Sequence, residues 1–123
     1  AALCIVTLAE ELPARETVIL ARVVRDSLRI PLGPLIVNAV PPAAAGHPEL
    51  RSVLGRLAGQ SAGPALDSTL AGAAILAARR SDAERIIESL SRDPALPTIQ
   101  LPRLPTNDIG PAEVEQLSRL FGA

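Results

Sequence analysis

Three residues that could bind a small ligand each stand at the end of an apolar segment. Glu10 follows ALCIVTL, Asn38 lies near the end of LIVNAV, and Pro102 ends LPTIQLP. A carboxylate can hold a ribose, a water or a basic residue, and an asparagine amide offers one acceptor and two donors, which complement an adenine edge. A proline offers a flat wall to a ring. Capping and packing explain each residue separately, so a shared site requires that the fold bring the three together.

The apolar segments predict strands, and the intervening segment predicts a helix. Residues 2–8, 35–40 and 96–102 are predicted strands, with residues 13–28 as a helix after the first. A strand, a helix and a second apolar strand form a βαβ unit, which is parallel and right-handed. Ligands bind beyond the carboxyl ends of the strands in open parallel sheets. We therefore expect Glu10, Asn38 and Pro102 at one edge of the sheet.

The rest of the chain predicts further helices and an α/β fold of one domain spanning residues 1–123. Helices are expected over 48–57, 64–80, 82–92 and 111–121, with 43–46 as a loop. Ser81 and Glu84 match a capping box, which predicts a new helix from Asp82. The last helix is expected to turn Val114, Leu117 and Phe121 inward.

The composition excludes several classes of function. The chain has 123 residues, a net charge of -1 and an aromatic fraction of 1%, so it lacks the basic surface and stacking platforms of nucleic-acid binders. Its one cysteine, Cys4, cannot form an internal disulfide and is expected to be a small buried hydrophobe. The longest uncharged run, residues 30–48, is interrupted by prolines. We expect a cytoplasmic protein that is not an integral membrane protein.

Two motifs have competing interpretations. GQSAG, residues 59–63, matches the G-x-S-x-G elbow of hydrolases, but that elbow needs a strand before Ser61, where the sequence predicts a helix. The only histidine, His47, precedes the serine, so a helix-to-helix turn is favoured and His47 is expected to be solvated. The small residues of the apolar helix favour either packing in the core or a subunit contact; they are Ala71, Gly72, Ala74 and Ala78.

Three longer segments resemble one protein family. IVTLAEELPARET, IPLGPLIVNAV and IQLPRLPTNDIG are similar, in order and spacing, to the C-terminal part of the anion-transporting ATPases, which include arsenical-pump and tail-anchored-protein-targeting ATPases. The resemblance implies a P-loop NTPase-type fold, with ATP and Mg²⁺ as ligands of the parent protein. It also implies that Glu10 lies near the nucleotide, that Asn38 reads the adenine, and that Pro102, Arg103 and Leu104 cover the adenine ring.

The sequence departs from the family at the phosphate site. It contains no lysine and no G-K-G-G-x-G-K-T loop, whose backbone and lysines cradle the phosphates. We therefore expect the adenine-side portion of an ATPase whose N-terminal P-loop portion is missing, with no tight nucleotide binding by this chain alone and its own enzymatic activity left open. The resemblance further implies a homo-oligomer and an apolar client held by helices in 48–92. A non-catalytic interaction or oligomerisation module is the alternative.

Overall fold

The computed structural model describes residues 1–61 and 63–122, so Ala62 of the GQSAG motif lies outside the described residues. The fold is α/β, with a three-stranded parallel sheet in the order β1-β2-β3 and helices packed on it. The strands are β1 Leu3–Leu8, β2 Leu32–Val40 and β3 Thr98–Pro102, and the helices are α1 Glu11–Arg22, α2 Pro48–Leu57, α3 Pro64–Arg92 and α4 Pro111–Ser118. The parallel sheet confirms the topology expected from the sequence.

The core lies between one face of the sheet and the helices α1 and α3. Ile5, Leu35 and Val37 point from the strands into a cluster that includes Ala21 of α1 and Leu90 of α3. Leu35 is 0% exposed and Leu90 is 1% exposed. Burying one such side chain contributes about 1.5–3 kcal/mol. Because both connecting helices contribute to the same cluster, they cover the same face of the sheet.

The opposite face of the sheet is largely open at β1, which corrects the expectation for Cys4. Cys4 is exposed rather than buried, and Val6 is 61% exposed. Side chains alternate between the two faces of a strand. The side chains of β1 that point away from α1 and α3 are therefore not covered by these helices. Val6, Ile36 and Ile99 pair across the three strands and form an apolar row on this open face.

The C-terminal segment covers only part of this open face. A 3₁₀ turn at Arg119–Phe121 contacts β3, which leaves Ile99 half-buried. Val114 and Phe121 are 57% and 49% exposed, so the expectation that they pack inward is wrong. Leu117 is half-buried, as an inward position requires. The helix itself begins as predicted at Pro111, where Glu113 accepts a hydrogen bond from the backbone N–H of Gly110.

The predicted break before Asp82 is also wrong, because α3 runs without interruption from Pro64 to Arg92. Ser81 lies inside the helix, and Glu84 accepts a hydrogen bond from Arg80 Nε at 2.8 Å. The residues around Ser81 include neither Gly nor Pro and are mostly good helix formers, so the helix continues through the capping-box pattern. Glu84 therefore does not cap a helix but pairs with Arg80, four residues earlier on the same helix face.

The ends of α1 also differ from the sequence-based prediction. The helix begins at Glu11 rather than near Pro13, and beyond Arg22 the chain forms a π-helical turn at Val23–Ser27. Arg22 and Asp26, which are four residues apart, form no ion pair with each other. Arg22 instead donates to Asp93 Oδ2 at 3.0 Å, which ties the end of α1 to the loop that precedes β3.

None of the described helices combines the length and apolarity that crossing a membrane requires.

Candidate functional site

A cleft of about 550 Å³ lies where the three parallel strands end. Leu8, Ala9 and Glu10 line it from the end of β1, while Arg103 lines it from the residue after β3. The end of β2 contributes Ala39, Pro41 and Pro42. The strand exits therefore share one edge of the sheet, as the parallel topology requires, and that edge borders a concave surface.

The second wall of the cleft is one face of α3 together with the start of α1. Leu76, Arg79 and Ile86 follow the three-to-four-residue spacing of a single helix face. Asp82 and Arg85 lie between them, and Glu11 completes the wall from α1. The cleft therefore has an apolar lining that carries both carboxylates and guanidinium groups.

An irregularity at the end of β2 shapes the cleft edge. The pairing of β2 with β3 shifts register between Val37 and Val40, and Ala39 takes a φ of 51°. An L-residue in this left-handed region costs about 1–2 kcal/mol. Beyond the shift, pairing resumes, since the backbone N–H of Arg103 donates to the carbonyl of Val40 at 2.9 Å. A bulge of this kind redirects side chains at the edge of a sheet, and it places Ala39 on the cleft surface.

Arg80 fixes the exit of β2 against α3. Its Nη1 donates to the carbonyl of Pro41 at 2.8 Å, and its Nε donates to Glu84 Oε1 at 2.8 Å. The Arg80 side chain is 18% exposed, so this network is more shielded than the other ion pairs. The hydrogen bond from Arg80, helped by the charges of Arg80 and Arg51, lowers the pKa of Glu84, although partial desolvation opposes the shift. Arg80 thereby holds Pro41, one wall of the cleft, in place.

The charges within the cleft are only partly compensated. Arg85 lies 3.8 Å from Glu11 Oε2 and 3.9 Å from Asp82 Oδ1. All three side chains are exposed, so each pair contributes at most about 1 kcal/mol. The side chains of Glu10, Arg79 and Arg103 form no ion pair with any residue in 1–61 or 63–122.

The five residues predicted for the nucleotide site divide between two places. Glu10 and Arg103 line the cleft, whereas Pro102 and Leu104 do not. Asn38 is exposed and, by strand alternation, faces away from its buried neighbour Val37, toward the open side of the sheet. It lines a separate groove of about 340 Å³ along β1.

Asn38 and Pro102 are nevertheless close along the sheet. Pro102 pairs with Val40, two residues beyond Asn38. Strand spacing and rise place the two Cα atoms roughly 8 Å apart. The structure therefore brings the sequence-derived residues to one edge but assigns Asn38 and Glu10 to different surfaces of it.

Several cleft residues were missed from the sequence. Arg79 gave no clear signal, because the charges of this region follow the pattern of a solvated helix face. The spacing of Leu76, Arg79 and Ile86 on one helical face was the available signal. Ala39 gave no signal, because nothing in LIVNAV indicates a positive φ at an alanine.

The described residues of the serine motif, 59–61 and 63, lie between α2 and α3, which agrees with the helix-to-helix connection favoured from the sequence. Ser61 follows the end of α2 at Leu57, and its hydroxyl donates to Asp67 Oδ2 at 2.8 Å. His47 is the N-cap of α2, where its Nδ1 accepts from the backbone N–H of Glu49 at 3.2 Å. No set of three His, Cys, Asp or Glu side chains that could hold a metal ion occurs among the described residues.

The small residues of α3 do not pack in the core. Ala71, Gly72, Ala74 and Ala78 are all exposed, which removes the first of their two interpretations and leaves the subunit contact open.

A comparison with models of known protein families finds no match to this chain, and a search of curated proteins finds none either.

Proposed function

We propose that this chain supplies the adenine side of a deviant-Walker ATPase domain, with the phosphate-binding loop on another segment. The observation that carries the proposal is the shared edge at which all three parallel strands end, where Asn38 lies two residues before Val40, the partner of Pro102. The motifs that resemble the anion-transporting ATPases place their nucleotide-side residues at these same strand ends. In the whole protein, ATP hydrolysis in the cytoplasm would drive the handling of an anion or a membrane-protein client.

The described residues suit the base of a nucleotide better than its phosphates. The Asn38 side chain is exposed and forms no hydrogen bond within the described chain, so its amide is free to pair with an adenine edge. Leu104 is half-buried beside Pro102 and can form an apolar wall for the ring. Glu10 can accept a hydrogen bond from a ribose hydroxyl. The chain has no lysine, and its described residues include no metal-binding cluster, so the other segment would hold Mg²⁺ and the phosphate-binding loop.

Titration with nucleosides, followed by amide chemical shifts in NMR, tests the proposal. Adenosine, ADP and ATP should shift the Asn38 amide signals with similar Kd values, because the contacts at Asn38 and Pro102 involve the base and not the phosphates. A Kd of about 1–10 mM is expected, since only part of a site contributes. Guanosine should bind more weakly, and the shifts should concentrate at Asn38 and residues 102–104.

An Asn38→Leu substitution, which keeps the side-chain size and removes the amide, should abolish the adenosine shifts. Gln60→Leu is the matched control, because Gln60 is an exposed amide far from the strand ends, on the loop after α2. Equal binding of guanosine and adenosine, or equal loss in both variants, would show that Asn38 does not read the base.

A second function, a non-catalytic oligomerisation module, is supported by the uncovered surfaces. Within the described chain only β2 pairs with β1, so one edge of β1 carries unpaired backbone groups, and the neighbouring Val6 is 61% exposed. Sedimentation velocity should then show a dimer or larger species that Val6→Lys dissociates. Val53→Lys on α2 is the control, because Val53 is exposed and lies away from the sheet. A clean monomer at high concentration would contradict this function.

The apolar client implied by the resemblance has one supporting surface. Leu54 and Leu57 of α2, with Leu70 and Ala74 of α3, line a groove of about 240 Å³ between the two helices. A groove of this size accommodates a few apolar side chains rather than a whole helix. It supports a contact with an apolar segment as part of the proposed function, in which further surface comes from elsewhere in the assembly.

A further inference from the structure

The cleft at the strand ends contains two guanidinium groups that no carboxylate neutralises. Arg79 lines it from α3, and Arg103 lines it from the residue after β3. Neither side chain forms an ion pair in the part of the chain that the structure describes. The third guanidinium, that of Arg85, lies within 4 Å of both Glu11 and Asp82. Uncompensated positive charge in the cleft therefore belongs to Arg79 and Arg103.

The uncompensated carboxylate of the cleft, Glu10, lies at the other side. Glu10 follows β1 and Arg103 follows β3, and β2 lies between these two strands. The ends of β1 and β3 are therefore two strand spacings apart, which is about 10 Å. Arg79 precedes Arg85 by six residues, which is about 9 Å along the axis of α3. Since Arg85 is the residue that contacts Glu11, Arg79 lies away from the acidic side. The cleft thus has a basic end and an acidic end, and Asp82, which lies 3.9 Å from Arg85, stands between Arg79 and Arg85 on α3.

Apolar surface adjoins both ends, because Leu76 lies one helical turn before Arg79 and Leu8 lies two residues before Glu10. Leu76 is 44% exposed and Leu8 is 37% exposed, and both line the cleft. Pro41, held by Arg80, and Pro42 add a rigid apolar side. A volume of about 550 Å³ falls within the range of small-molecule sites. A ligand that uses both features carries an anionic group on an apolar body.

We propose that the cleft binds a small organic oxyanion, a carboxylate or a phosphate monoester with an apolar body. Arg79 and Arg103 hold the oxyanion, because planar guanidinium groups match the geometry of carboxylate and phosphate oxygens. The apolar body lies on Leu76 and the two prolines. This site goes beyond the adenine contacts, because it requires neither a base nor Asn38, and it assigns a binding role to Arg79.

Calorimetry with four six-carbon probes tests the charge requirement. Hexanoate and hexyl phosphate should bind, and hexanol and hexylamine should bind at least about tenfold more weakly, because they share the apolar body but lack the oxyanion. Tighter binding of hexanoate identifies a carboxylate ligand, and tighter binding of hexyl phosphate identifies a phosphate ester. Equal binding of hexanol, or preference for hexylamine, would overturn the proposal.

Single substitutions test the residue assignment in the full chain. Arg79→Gln and Arg103→Gln should each weaken binding of the preferred anion about three- to fivefold, as expected for exposed guanidinium groups. Arg56→Gln is the matched control, because Arg56 is an exposed arginine of α2 that does not line the cleft. Glu10→Gln should strengthen binding about twofold, since it removes a like charge. Thermal unfolding confirms that each variant is folded.

The outcomes separate this site from the proposed nucleotide function. Arg79→Gln should leave the adenosine-induced shift of the Asn38 amide unchanged while it weakens anion binding. Failure of adenosine to bind leaves the anion result standing, because hexanoate carries no base. If Arg79→Gln leaves anion binding unchanged, or Arg56→Gln weakens it as much, the cleft is not the anion site.

Discussion

The backbone conformation of Ala39 predicts an unusual response to glycine substitution. At a φ of 51°, the alanine Cβ costs about 1–2 kcal/mol, which Ala39→Gly removes. The added freedom of glycine in the unfolded chain costs about 0.5–1 kcal/mol. The net expectation is an increase of about 0.5–1 kcal/mol in the free energy of unfolding. For a chain of this length the increase corresponds to a rise in Tm of about 2–5 °C.

Ala78→Gly supplies the matched control for this prediction. Ala78 is exposed and lies inside α3, so the same substitution should there lower the free energy of unfolding by about 1 kcal/mol. The two variants should therefore move in opposite directions from the wild type. The measurement is urea unfolding followed by circular dichroism, with thermal unfolding as the second observable.

A further variant at residue 39 tests whether the left-handed backbone causes the change in stability. Ala39→Val should lower the free energy of unfolding by at least about 1 kcal/mol, because a β-branched residue is still less compatible with positive φ. If Ala39→Gly destabilises the protein as much as Ala78→Gly does, residue 39 is not left-handed. The bulge that shapes the cleft would then be absent.

Three further predictions concern the surroundings of the cleft and the open face. Arg80→Leu should lower the free energy of unfolding by about 1–2 kcal/mol, because the Pro41 carbonyl and Glu84 lose their donor. The control Arg56→Leu should change it by less than about 0.5 kcal/mol. Urea unfolding of both variants checks this prediction, and equal effects would refute it. The lowered pKa of Glu84 means that its folded state binds protons less readily than its unfolded state, so its stabilising effect is present above the ordinary pKa of 4.5 and is lost as the pH falls through the lower folded value. The stability difference between wild type and Glu84→Gln should therefore shrink as the pH falls below 4.5 and stay constant above about pH 6; a difference that persists unchanged to low pH would contradict the network. The exposed Cys4 thiol should react with a disulfide reagent in the native protein at the rate seen in urea, within about a factor of ten; a thiol that reacts only after unfolding would show that the sheet face is covered.

The three parallel strands and the helical connections could be predicted because they depend on strong local patterns. Continuous apolar runs gave the three strands, and the strand–helix–strand succession gave their parallel direction. The prolines at 48 and 111 also marked true helix starts. These features depend on neighbouring residues in the sequence, which a single chain displays directly.

The errors arose where distant parts of the chain decide the outcome. The exposure of Cys4 follows from both connecting helices lying on one face, which the sequence of β1 does not encode. Likewise, Ser81 and Glu84 match a helix start, but the flanking helix formers keep α3 continuous. The spacing of apolar residues in α4 predicts an inner face, yet it is the 3₁₀ turn after the helix that contacts β3, and Val114 is exposed.

The sequence could predict that the candidate site residues meet at one edge of the sheet, but not which surface each side chain lines. Parallel topology alone brings Glu10, Asn38 and Pro102 to the carboxyl ends of the strands. Which face each side chain takes depends on register and on the bulge at Ala39, and these separate Asn38 from Glu10. The role of Arg79 depends on the rotation of α3 relative to the sheet, which tertiary packing determines.

Intermolecular NOE measurements with adenosine test the nucleotide proposal most directly. The proposal predicts contacts from the base protons H2 and H8 to the Asn38 side-chain amide and to Pro102 or Leu104. Contacts to Leu76 and Arg79 alone would place the base in the cleft instead. That result, or the absence of contacts at saturating adenosine, would contradict an adenine site at the end of β2.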